Sequence, residues 1–475
     1  MWRTAVILVL LGLLLVSTGA NVFLARQTIS DQADSDRLRQ RAVAAEATRG
    51  SLQGQLEQMR SQQPAAPASG TPAPGAPVPT VSAAAPAAGP DRALLQRIEQ
   101  QVSQLRGLQA KSDVTLKFLD EASLRQYFLN NFQRDYLPNE RESDQKLLTT
   151  LGLLRSNETV VQILLEVLQE QVIGVYNEDE KAMYLVSDSA QFGPDEQDTF
   201  AHEFTHALQD QYFDLTRLAP KHPDNDDKSL AMQALIEGDA VLIQRLWAQE
   251  NLTPDQLNQL GQGGADSALF SAPVFIREQL LFPYGDGFNF VRRIYQTAGG
   301  YAGVDEVFRN PPDSTEQILH PEKFRTREKP VEVTLPDVAT AMGDGWRAIN
   351  SNVLGELDLR LIMEQLTDEG RAVRGSSGWG GDRWLLLEKD GRQALVIKTV
   401  WDSETDARNF FDTFGLALRN RFSGARQEEA SPTRQALTAS TGATELRRNG
   451  PNVLAVISFD RGTAEALVNA VGGGQ

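Results

Sequence analysis

The chain has 475 residues, 41% of them apolar, enough for more than one packed unit, since single cores stop growing near about 250 to 300 residues. It has no cysteine, which excludes a disulfide framework, a thiolate metal site and a cysteine nucleophile, so any metal must sit on His and carboxylate. Net charge is −17: residues 1–112 hold 11 Lys/Arg against 7 Asp/Glu, and the rest holds 35 against 56. So acidic a body repels phosphate backbones, and no nucleic-acid partner is expected.

Residues 5–25 carry no charge and include the run AVILVLLGLLLV, near the roughly 20 residues that cross a bilayer as a helix. They are read as a transmembrane signal anchor, domain 1–26, that holds the protein in the cell membrane by a single pass with its body on the extracytoplasmic side. The rival reading is a cleaved signal, with Thr18-Gly-Ala20 as the cleavage site and a secreted product. Residues 27–62 follow as a coiled-coil-like helix, with Leu38, Ala45, Leu52 and Met59 seven apart. Residues 63–90 are a Pro/Ala-rich linker that reads as an extended spacer. Residues 91–112 give a second short coiled coil, since Leu95, Ile98, Val102 and Leu105 alternate steps of three and four. Seams that associate would make a homo-oligomer on a stalk.

From Asp113 the texture is globular. Amphipathic helices are expected over 116–132 and 144–168, then a β-hairpin from Val172 to Val186. A helix begins near Gly193-Pro-Asp195 and runs through His206. It contains His202-Glu203-Phe204-Thr205-His206, two of the chain's four histidines. Positions i and i+4 share one helix face, so both imidazoles reach one ion while Glu203, next round the turn, reaches a water on it. A catalytic site needs a third ligand; a third histidine six residues on is excluded because position 212 is Tyr. Glu237 stands on an apolar helix at Leu230–Ile243, beside Gly238, whose mid-helix placement signals close backbone packing.

HEFTHALQ, followed 31 residues after its second histidine by Glu-Gly-Asp-Ala, resembles the gluzincin metallopeptidases of the collagenase and peptidase MA-like kind. Residues 310–324 are similar to a segment of uncharacterised bacterial HExxH proteins. The resemblance implies an α+β, mainly helical zincin-like body with a small edge sheet over 113–330. It also implies Zn2+ on His202, His206 and Glu237, Glu203 as general base, and hydrolysis of peptide bonds in polypeptide substrates. Gluzincins often carry an acidic residue one turn after the ligand glutamate, but position 241 is Val, and Asp210 is the candidate orienting residue instead. Tyr284 and His320 are candidate donors to the oxyanion. The strand Ala182–Val186 is the candidate substrate edge, with Lys181 or Tyr184 against substrate. His222, in a loop with Asp224, Asp226 and Asp227, reads as solvated, and no calcium is expected.

Residues 331–475 are read as an accessory α+β domain of two ββα units, 383–400 with a helix from Ser403, and 444–459 with a helix over 463–471. The competing function is a zinc-bearing but inactive binding module displayed on the stalk.

Overall fold

A computed structural model describes residues 91–155, 157–170, 174–186, 192–221, 224–260 and 268–472. The expected anchor, the 27–62 seam, the linker and His222 lie outside the described residues. Among those described, no helix is long and apolar enough to cross a membrane.

The first helix, α1 (Arg92–Arg106), starts on Asp91, whose side chain accepts from Ala93 N, and stops at left-handed Gly107. Its seam corrects the stalk reading of 91–112. Leu95, Ile98 and Val102 are buried against the two long site helices of the same chain, so α1 is part of the body. Apolar periodicity is identical whether a helix packs on its own fold or on a partner.

Strand β1 (Thr115–Leu119), helices α2 (Glu121–Asp135), α3 (Pro138–Leu151) and α4 (Val160–Glu170), and the hairpin β2 (Gly174–Asn177) and β3 (Ala182–Val186) follow. The hairpin lies where the alternation put it. The small sheet has order β1-β3-β2, with β1 parallel to β3. Ala182–Val186 is therefore central, with both of its edges paired, and cannot accept a further strand; the edge strands are β1 and β2.

Helix α5 (Pro194–Phe213) has Pro at its first position and Asp195 and Glu196 in its first turn, which complement the N-terminal dipole. Helix α6 (Asp226–Asn251) is capped by the Asn225 side chain on Lys228 N. Helix α7 (Val274–Thr297) packs along α6, and α8 (Tyr301–Arg309) and α9 (Thr315–Leu319) close that side.

Beyond residue 331, β4 (Arg347–Asn352), α10 (Gly355–Leu366), α11 (Glu369–Ser376), β5 (Trp379–Lys389), β6 (Arg392–Trp401) and α12 (Glu404–Arg421) lead to β7 (Arg426–Ala430), β8 (Arg434–Ala439), β9 (Gly442–Asn449), β10 (Asn452–Ser458) and α13 (Arg461–Gly472). The two ββα units are present, but they share one seven-stranded antiparallel sheet of order β4-β5-β6-β10-β9-β8-β7. Alternation sorts its faces: Leu386, Leu395 and Ile397 join the main core with Phe410 and Phe414 of α12, while Leu387, Val396 and Val456 pack with Leu467 and Val468 of α13. The main core runs on through α10 to α7, across position 330.

Candidate metal centre

Helices α5 and α6 run side by side, and the buried faces they share carry the polar residues. His202, Glu203 and Glu237 are essentially inaccessible, and His206 is 5% exposed. His202 Nε2 stands 3.2 Å from Glu237 Oε2, His206 Nε2 stands 3.3 Å from Glu237 Oε1, and the two Nε2 atoms are 2.9 Å apart. Ligands at about 2.0 to 2.1 Å on a tetrahedral zinc are separated from one another by about 3.3 Å. The donor set fits such an ion in chemistry and in spacing. Among the described residues the carboxylate oxygens of Glu237 have no partner besides the two imidazoles, and a buried carboxylate in that position calls for a cation.

Charge in the cluster is distributed to match. Burial pushes His202 down to about 4, against the pull of Glu237. At His206 burial also opposes the charge, but the Glu237 carboxylate outweighs it and raises the ring to about 9. Burial favours the neutral form of Glu237, yet His206 and His202 hold it below the usual carboxylate range.

Glu203 faces the hairpin. Its Oε2 accepts the backbone N–H of Tyr176 on β2 at 2.7 Å, while Oε1 has no partner among the described residues. Burial raises its pKa to about 7. The strand beside the metal helix is therefore β2, through Tyr176, and not the expected Ala182–Val186. Lys181 bonds Asp210, and Tyr184 accepts from Lys117 and stacks on Tyr127 at 4.1 Å, so both are held away from Glu203.

A backbone contact sets the helix that carries Tyr284 against the helix that carries Glu237. A Cβ on Gly238 would lie 2.2 Å from the Gly287 carbonyl oxygen, and one on Gly287 would lie 2.2 Å from that of Ala234. Both positions must be glycine for α6 and α7 to touch, and Tyr284 is one turn before Gly287. It is buried, and burial together with the charges of Glu237 and Glu203 raises its pKa well above the ordinary value. His320 is not brought to the site: its Nε2 lies 3.0 Å from Glu356 Oε1 and its Nδ1 faces Glu322.

Asp210 does not orient a histidine. Its carboxylate takes the Tyr176 hydroxyl at 2.8 Å, Lys181 Nζ at 2.6 Å and Leu215 N at 3.1 Å, and so fastens the hairpin to α5. The orienting residue is Gln209, whose Oε1 is 2.9 Å from His206 Nδ1 and whose Nε2 donates to Ile236 O and Asp239 Oδ2, each at 2.9 Å. Sequence reasoning missed Gln209 and Asp239, although both are polar residues one turn or less from a ligand on otherwise apolar faces. Asp226 and Asp227 open α6 and are buried, and Asp227 Oδ1 accepts Thr315 N at 3.1 Å.

Residues 343–468, from just before β4 into α13, match a family model described as a domain of unknown function (DUF8575). That stretch contains none of the metal-centre residues. Comparison with curated proteins and with solved structures finds no match.

Proposed function

We propose that the protein is a zinc-dependent metallopeptidase that hydrolyses peptide bonds in extracytoplasmic polypeptides, anchored to the cell membrane through residues 5–25. The observation that carries this reading is the convergence of His202, His206 and Glu237 beside a buried Glu203.

His202, His206 and Glu237 would hold the ion, which supplies a polarising Lewis acid and a water of lowered pKa. Glu203 takes the proton of the attacking water on the oxygen that has no other partner and passes it to the leaving amine. The Tyr176 N–H fixes the second oxygen, so the carboxylate is aimed before substrate arrives. Its pKa of about 7 suits a group that must both accept and return a proton near neutrality. Tyr284 supplies a hydroxyl to the oxyanion that develops at the scissile carbonyl. An extended substrate laid beside β2 would bring its carbonyl over Glu203.

The test is digestion of a mixture of unfolded proteins by the full chain, with and without chelator, alongside Glu203→Gln. Cleavage that chelator stops and Glu203→Gln abolishes, with zinc retained in the variant, supports the peptidase. Zinc bound without any cleavage supports the inactive binding module instead.

A further inference from the structure

The contacts of Gln209 do not end at Asp239. Asp239 Oδ2, which accepts from Gln209, also faces Arg106 Nε at 2.9 Å, and Arg106 Nη1 lies 2.8 Å from Asp305 on α8. The guanidinium is fully buried and sits over the Tyr301 ring at 4.8 Å. A continuous path therefore runs from His206 through Gln209 and Asp239 to Arg106, the last residue of α1.

The path has a chemical meaning. An imidazole that ligates through Nε2 carries its proton on Nδ1 and needs an acceptor there. Gln209 can present either its oxygen or its NH2 group to that proton. The two acceptors on its other side, Ile236 O and Asp239, hold the amide with its oxygen toward His206. Asp239 keeps that position because Arg106 Nε, buried with it, pairs the same oxygen that accepts from Gln209; without the cation the buried carboxylate would lose the partner that holds it there.

Arg106 is delivered by α1, whose attachment is the Leu95, Ile98 and Val102 seam, and in sequence α1 directly follows the Pro/Ala-rich segment 63–90. We propose that docking of α1 regulates the metal centre, by supplying the charge that locks Gln209 and with it the ligating tautomer of His206. Arg106, Asp239 and Gln209 are positioning residues, and whatever withdraws α1 from the body weakens the hold on the ion. This inference rests on the zinc reading above.

The test uses the full chain, with zinc affinity measured by competition against a chromophoric chelator and fold verified by circular dichroism. Arg106→Gln, which removes the charge, and Ile98→Asp, which undocks α1 without touching the path, should each weaken zinc binding by about 10- to 100-fold. Arg106→Lys should recover part of the loss, and the visible bands of the cobalt-loaded protein should shift in Arg106→Gln. If Arg106→Gln fails to fold, Gln209→Met asks the same question from inside the body. Wild-type zinc affinity in folded Arg106→Gln or Gln209→Met, or in Ile98→Asp, overturns the role of α1 while leaving the zinc site standing. A wild-type chain that takes up no zinc overturns the zinc reading itself.

Discussion

Gly238 and Gly287 meet backbone to backbone: a Cβ on the first would stand 2.2 Å from the carbonyl oxygen of the second. The contact sets the spacing of α6 and α7, and so places Glu237 and Tyr284 on neighbouring turns of two helices that touch.

Gly238→Ala should therefore act on stability and site together. Overpacking a close contact costs about 1 to 3 kcal/mol. A lower thermal midpoint with reduced zinc content is expected; a variant as stable as the wild type would show that the helices tolerate separation.

Tyr284→Phe removes only a hydroxyl. If that group stabilises the oxyanion, kcat should fall by about 10²- to 10³-fold with zinc content unchanged. Steady-state kinetics on a peptide substrate checks this, and an unaltered kcat would leave Tyr284 as packing.

Glu203→Gln keeps size and burial but cannot accept a proton. Loss of about 10²- to 10⁴-fold in kcat is expected, with metal stoichiometry equal to wild type. Residual activity near wild type would mean that another group moves the proton.

Asp382 gives a pH signature of its own, in the seven-stranded sheet rather than on the helices of the candidate site. Burial raises its pKa to about 6 even though it accepts from Leu354 N, Gly355 N and the Trp379 indole. Its folded value lies above the unfolded one of about 3.9, so its contribution is fully present below that value and is lost as pH rises through about 6. Integrated over that window the loss is bounded at about 3 kcal/mol. Asp382→Asn should flatten the fall in thermal midpoint between pH 4 and pH 7 relative to wild type; identical slopes would contradict the assignment.

Much of the candidate site's clustering was legible in the sequence because its geometry is local. His202, Glu203 and His206 lie within two turns, and Glu237 and Gly238 stand out against an apolar helix. The hairpin and the Gly193-Pro194 helix start were legible for the same reason. The path from His206 to Arg106 was not, since it joins residues about a hundred positions apart, and only packing makes Arg106 the continuation of the Leu95, Ile98, Val102 face. That face was misread as a stalk because helical periodicity names a buried side without naming what buries it. The order β1-β3-β2 depends on a parallel pairing between Thr115–Leu119 and Ala182–Val186 that no turn announces. Strands β4 and β7, polar segments such as Arg426-Gln-Glu-Glu-Ala430 at the sheet edges, lack an apolar alternation to reveal them. His320 was a candidate by residue type alone, and its partner Glu356 lies 36 positions away.

The most direct measurement is the zinc content of the purified full chain beside Glu237→Ala, by elemental analysis after exposure to zinc and removal of excess. The account predicts about one zinc per wild-type chain, released by chelator, and none retained by a folded Glu237→Ala. A folded wild-type protein that takes up no zinc, or a Glu237→Ala variant that holds it as tightly as wild type, would contradict it.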